Sequence, residues 1–255
     1  RVVLSALPRS SHACNRASGA SADAETVIIT SGGASSGTVR NIQQALGFDQ
    51  RRVIRLRNGN RQRIKAKRLL FSCRSPLVHP YFALRFVERM KVRRDTPLDQ
   101  RKVVLFLSRR GKKRDMTNES QLVSEIQALL QRRGKGEELK MFRDVNQGDF
   151  RGFVEWMGLN VLAMVGPHGG AFFNHRFCAK HTLILELMPS DRIFKGIWFE
   201  AQMLKQNYAM AIFPPLGGHR VQADVTKVVS LLDKNLGKPA PADALLHAYT
   251  WKIDR

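Results

Sequence analysis

The 255-residue chain has only three cysteines, Cys14, Cys73 and Cys178. They lie far apart, with no CxxC spacing and no histidine-rich partner pattern, which argues against a structural zinc site. An odd count leaves room for one disulfide at most. Long apolar runs are also missing: nothing approaches 18 uninterrupted apolar residues, so no segment reads as a membrane span. The chain opens on Arg1 without a signal-peptide pattern, and it is therefore read as a fragment or processed form, with any anchor or targeting segment upstream. Acidic residues are scarce, 21 Asp plus Glu against 43 Lys plus Arg, for a formal charge of +22. A field of that sign attracts polyanions. The cations are thickest between Arg51 and Arg114, in RRVIRLRNGNRQRIKAKR, VERMKVRRD and SRRGKKRD. Aromatics do not interleave with them as a base-stacking surface requires, and no zinc-finger or RNA-recognition signature is present. Nucleic acid is therefore not the expected partner. A basic cleft for a nucleotide diphosphate on a generally basic surface accounts for the same charge.

What is present is 43% apolar residues in short runs, enough for one large domain or two modest ones. A buried strand is expected at 27–30, followed by the Gly/Ser turn SGGASSG and a helix near 37–46. The turn lacks the Lys-Ser/Thr ending of a phosphate loop and reads as a plain strand-to-helix connection. Further strands are expected at 52–56 and 68–72, then a helix reaching Met90. The polar stretch 91–101, with Pro97, marks a domain boundary that gives 1–97 and 98–255.

Beyond it the pattern is regular. Strands are expected at 102–109, 138–142, 161–165, 183–187 and 208–213. Helices alternate with them at 122–130, 150–159, from about 171, 194–204 and 221–236. The first strand is nearly continuous in apolar residues, as a strand covered on both faces would be. Such alternation predicts parallel βαβ units in an open, doubly wound sheet, which binds ligands at the carboxyl ends of its strands.

Three constellations fall at those ends. In Val165-Gly-Pro-His-Gly-Gly-Ala-Phe-Phe-Asn174, Gly166, Gly169 and Gly170 let backbone approach a ligand. The N–H groups of the following helix suit a phosphate, and His168 could bond an anion or a sugar. A glycine turn around a satisfied histidine is the plainer alternative. The second constellation runs from Ser108-Arg109 through Arg114 to Asn118-Glu119. Its guanidinium groups suit a pyrophosphate leaving group, while Thr117 or Asn118 could equally be a helix N-cap. The third is Glu186 within Leu183-Ile-Leu-Glu-Leu-Met-Pro189. A buried carboxylate there must be paired, either with the ligand machinery or in a structural ion pair.

Together, in this order, these segments resemble glycosyltransferase family 61. The correspondence rests on Ser108-Arg109, Arg114, Asn118-Glu119, Val165-Gly-Pro-His-Gly-Gly170, Asn174, Phe177 and Leu185-Glu-Leu-Met-Pro189. It departs from the family pattern at Gly170, where Gly-Gly-Ala replaces the usual Gly-Ala. It covers about residues 100 to 215 well, and Phe71-Ser-Cys-Arg74 faintly matches an upstream segment. The resemblance implies two Rossmann-like α/β domains in a GT-B-like arrangement, the amino-terminal one incomplete here. It also implies inverting, metal-independent transfer from a UDP-sugar to a glycan or protein hydroxyl, with no cofactor beyond the donor.

Family members of this kind imply a type II membrane protein of the Golgi or endoplasmic reticulum lumen. Arg109 and His168 are the implied catalytic residues. Ser108, Arg109, Arg114, Asn118, Glu119, Gly166, His168, Gly169, Gly170, Asn174 and Glu186 are the implied donor-binding set, with Glu186 placed on the ribose or base. The acceptor-activating base is expected from the amino-terminal domain, where His79, Glu88 and Asp95 are available. Two alternatives stay open: a non-catalytic basic module for nucleic acid or polyanionic polysaccharide, and a catalytically dead homologue.

Overall fold

A computed structural model describes residues 2–4, 27–30, 37–55, 65, 67, 69–70, 80–112 and 114–242. The turn at 31–36, together with Cys14, Cys73, His79 and the 71–74 segment, lies outside the described residues. Two compact units are present, Arg1–Phe82 and Ala83–Arg255.

In the first unit, β1 (Val2–Leu4), β2 (Val27–Thr30), β3 (Val53–Arg55) and β4 (Leu69–Leu70) form an all-parallel sheet in the order β3-β2-β1-β4. Ile28, Ile29 and Val53 are buried in it, and α1 (Gly37–Ala45) is its one described helix. The order is that of a Rossmann half.

The units divide inside α2 (Pro80–Arg89), upstream of the boundary expected at residue 97. The reason lies in what the end of that helix buries. Ala83, Val87 and Met90 are buried, and the Phe86 ring lies 6.0 Å from Phe177 of the second unit. Polar composition at 91–101 marked a surface crossing, not the end of a core.

The second unit contains β5 (Val103–Phe106), β6 (Glu138–Met141), β7 (Val161–Pro167), β8 (Leu183–Pro189) and β9 (Asn207–Phe213). All run parallel, in the order β6-β5-β7-β8-β9. β7 and β8 are buried along their whole length, which explains why they read as unbroken apolar runs. α3 (Glu119–Arg133) and α6 (Val225–Asn235) pack together over one face. There Leu122, Ile126, Leu129, Val228 and Leu232 join Phe106, Val165 and Leu187 in one core. α4 (Phe150–Asn160) and α5 (Gly196–Met203) lie with the segment Gly170–Phe177, where the rings of Phe150 and Phe153 each meet Phe177 edge to face.

Two expected helices change. The segment from Ala171 is a 3-10 turn series, Gly170–Phe177, and not an α-helix. The carbonyls an α-helix would use are taken from the side: Ala171 O accepts Asn174 Nδ2 at 2.9 Å, and His175 O accepts Gln206 Nε2 at 2.7 Å. The last helix starts at Val225, where Asp224 caps it by accepting the Lys227 N–H. Val221 instead belongs to a small hairpin of β10 (Pro215–Leu216) and β11 (Arg220–Val221).

The amino ends of the strands are tied by a buried cation. Arg101 is 1% exposed and donates to Thr182 Oγ1 (2.6 Å), Lys180 O (2.9 Å) and Val161 O (3.4 Å), which spans the starts of β7 and β8. The carboxyl ends are left to the functional loops.

Candidate active site

In the order β6-β5-β7-β8-β9, the chain leaves β5 toward one edge of the sheet and, returning to β7, continues toward the other. Loops after β5 and β7 therefore flank the switch point, where sheets of this kind usually have their ligand crevice. The first loop carries Ser108 to Asn118, and the second is Pro167-His-Gly169.

Two glycines are required there for different reasons. Gly166 has φ +152°, and a Cβ on it would stand 2.6 Å from the Leu107 carbonyl oxygen. It lets the ends of β5 and β7 lie against each other. Gly169 is extended (φ −178°), a conformation any residue adopts. Its constraint is steric, since a Cβ would stand 2.0 Å from Nη1 of Arg109. The Arg109 guanidinium thus lies on the bare backbone of the glycine turn, joining two of the constellations. A Cβ at Gly170 would meet nothing within 4 Å, so nothing in its surroundings demands glycine.

Burial presses the Arg109 guanidinium's pKa down from its ordinary value. Arg114 is lowered too, by burial first, then by the charges of Arg109 and Arg192, with Glu186 partly offsetting them. Arg114 is also held at φ +65°, a conformation that costs a non-glycine residue about 1–2 kcal/mol. Arg114 thus carries the like charges of Arg109 and Arg192, from the loops after β5 and β8, an arrangement that an anion would relieve. Sequence reasoning missed Arg192. Its signal was a cation three residues past the Pro189 that ends β8.

The remaining residues of the second constellation hold this loop in place. Ser108 Oγ donates to the buried Glu119 carboxylate (2.8 Å) and accepts the Arg110 N–H (3.2 Å). Asn118 flanks α3 without capping it by its side chain. Instead it grips Ala223 from both sides, donating to its carbonyl (2.8 Å) and accepting from its N–H (3.0 Å). With Thr117 N–H on Val221 O and Val221 N–H on Asp115 O, this fastens the arginine loop to β11. Asn174 turns inward to Ala171. The hydrogen bonds of these four run to other parts of the protein.

Glu186 is fully buried, and its carboxylate is committed to protein partners. Its Oε1 lies 2.6 Å from His168 Nδ1, and its Oε2 accepts Tyr208 OH at 2.7 Å. Burial, then the charge of Glu186 and the bond to it, pushes the Tyr208 phenol far up, so Tyr208 remains a fixed donor. Tyr208 was not singled out from the sequence. It sits on β9, where register places it opposite Ile184, two residues before Glu186 on β8. The backbone N–H of His168 is spent on Leu187 O, so backbone donors for a ligand begin only after it.

Below the turn is a second buried group. Arg176 donates to both oxygens of Glu200 (Nη2 to Oε2 at 2.9 Å), His175 Nε2 stands 3.4 Å from Oε2, and His175 Nδ1 lies 2.7 Å from Gln206 Oε1. Burial alone would raise the Glu200 carboxyl. Arg176 and His175 outweigh it and hold it down to about 2.

The expected bases are elsewhere. Glu88 and Asp95 both belong to the second unit. Glu88 is exposed and paired with Arg85 at 2.8 Å; Asp95 is paired with Lys180, beside the amino ends of the strands. Cys178 is a free, buried thiol pushed well above its ordinary range by burial. Among the described residues, no three of His, Cys, Asp and Glu group as metal ligands, and no helix is long and apolar enough to cross a membrane.

A parallel five-stranded sheet flanked by helices, with cations on the loops at its switch point, defines a mixed α/β protein of Rossmann-like build. The family model for glycosyltransferase 61 matches residues 3–185, which is most of the chain. The chain belongs to that family and is a glycosyltransferase. No curated protein matches it.

Proposed function

We propose that the protein transfers a sugar from a UDP-sugar to a hydroxyl of a glycan or glycoprotein, with inversion and without a metal ion, within a GT-B-like pair of domains. The Golgi or endoplasmic reticulum lumen is the proposed setting. The observation that carries this reading is the Arg109 guanidinium lying on Gly169 at the switch-point crevice, with Arg114 and Arg192 electrostatically coupled beside it.

The chemistry is a single displacement at the anomeric carbon. The acceptor oxygen bonds to that carbon as its bond to the β-phosphate oxygen breaks, through an oxocarbenium-like transition state. Charge grows on the departing diphosphate, and guanidiniums fixed in place beforehand neutralise it without reorganising. The proton of the acceptor hydroxyl leaves from the opposite side, to a base outside this arginine cluster.

The test is thermal unfolding with UDP. At a hundredfold excess over its Kd, binding adds about 2.7 kcal/mol, which raises Tm by roughly 5 °C for a chain of this size. Arg109→Ala should abolish the shift. If UDP leaves Tm unchanged while heparin raises it in a salt-sensitive manner, a polyanion-binding module replaces this reading.

A further inference from the structure

We infer that His168 is a reader of a sugar hydroxyl and not a phosphate ligand, and that Glu186 and Tyr208 are positioning residues that fix its ring for that task. The inference rests on the donor-site reading above and goes further by dividing the donor's two ends between different residues.

The argument starts from the carboxylate. Glu186 has no contact with water, and an ionised carboxylate only accepts hydrogen bonds. Tyr208 supplies one donor, at Oε2. The group facing Oε1 at 2.6 Å is His168 Nδ1, so Nδ1 carries a proton. Nε2 is the ring nitrogen left over, on a side chain that keeps 9% of its surface open. In the neutral ring Nε2 offers a lone pair. Such a nitrogen repels a phosphate oxygen, which is itself an acceptor, and matches a hydroxyl, which can donate.

The surroundings point the same way. Arg109, Arg114 and Arg192 already supply positive charge for a diphosphate. Phe194 flanks the ring with centroids 5.4 Å apart, an apolar wall of the kind a sugar's C–H face packs against. His168 also directly precedes Gly169, where Arg109 lies. A group bonded to a phosphate held there comes next to the imidazole.

The experiment compares UDP with UDP-sugars, UDP-xylose and UDP-N-acetylglucosamine first, by calorimetric titration of the whole chain. The wild type should bind at least one UDP-sugar more tightly than UDP. His168→Ala should weaken that UDP-sugar about five- to tenfold, the loss of one hydrogen bond, and leave UDP unchanged. Tyr208→Phe should weaken the UDP-sugar by a smaller factor, again sparing UDP. Arg109→Ala should weaken both ligands alike. In 15N spectra of the wild type at neutral pH, His168 should show Nδ1 protonated and Nε2 unprotonated, with Nε2 shifting when the UDP-sugar is added.

The inference is overturned if His168→Ala weakens UDP as much as the UDP-sugar, if no UDP-sugar outbinds UDP, or if Nε2 is protonated in the complex. Failure of the donor-site reading looks different. In that case UDP does not bind the wild type at all, and Arg109→Ala changes nothing.

Discussion

At the scale of single residues, the crevice separates two reasons for a glycine, and mutation can tell them apart. Gly166→Ala places a methyl against the Leu107 carbonyl, a backbone atom that cannot step aside, at a φ that side chains avoid. It should destabilise the fold by roughly 2–4 kcal/mol, read as a lower urea midpoint. Gly169→Ala meets only the far end of a long side chain, so Tm should hold while Arg109 is pushed from its seat and UDP affinity falls about tenfold. Gly170→Ala should change neither. These three positions look alike in the string Val-Gly-Pro-His-Gly-Gly. What distinguishes them is which neighbour approaches across the sheet, and the sequence does not record that. Tyr208 escaped notice for the same reason: it is an ordinary aromatic on an ordinary strand until Glu186 of the next strand faces it.

At the scale of elements, the loop carrying the arginines has its own anchorage. Asn118 ties it to Ala223 by two hydrogen bonds. Asn118→Ala should cost about 1–3 kcal/mol and loosen the loop, seen as faster amide exchange at Thr117 and Val221. The segment beneath the glycine turn is anchored by Glu200, and here pH supplies the measurement. Its carboxyl titrates near 2 in the fold against an ordinary 4.5, so it binds a proton more readily when unfolded. The stability it gives is therefore complete above about pH 5 and is lost as pH falls toward 2. The difference is on the order of 3 kcal/mol. Glu200→Gln should be less stable at neutral pH and show a flatter acid limb in denaturant midpoints. Element order was legible because buried parallel strands read as apolar runs and their helices as three-and-four spacing. The 3-10 segment was not, since its hydrogen bonds are diverted by Asn174 and Gln206, the latter thirty-odd residues away.

At the scale of the whole molecule, the charge of +22 acts over every approach of an anionic ligand. The apparent affinity for UDP should fall as salt rises, and heparin should compete with UDP at low ionic strength and cease to do so near 0.5 M salt, where the screening length is a few ångströms. A displacement assay across a salt series reads both effects. The five-stranded parallel sheet of the second unit could be anticipated, because its strands and helices alternate along the sequence. The division at Phe82 could not, because it depends on which sheet the apolar face of α2 lies against.

That division has an evolutionary reading. Every group of the proposed donor site, from Arg109 to Tyr208, lies in the single unit Ala83–Arg255. On that proposal, a recombination event joining chains near Phe82 would pass on these groups together while exchanging everything before them. Under the proposed function, such chimeras should keep the donor preference of the parent that supplies Ala83–Arg255, whichever chain supplies the first unit.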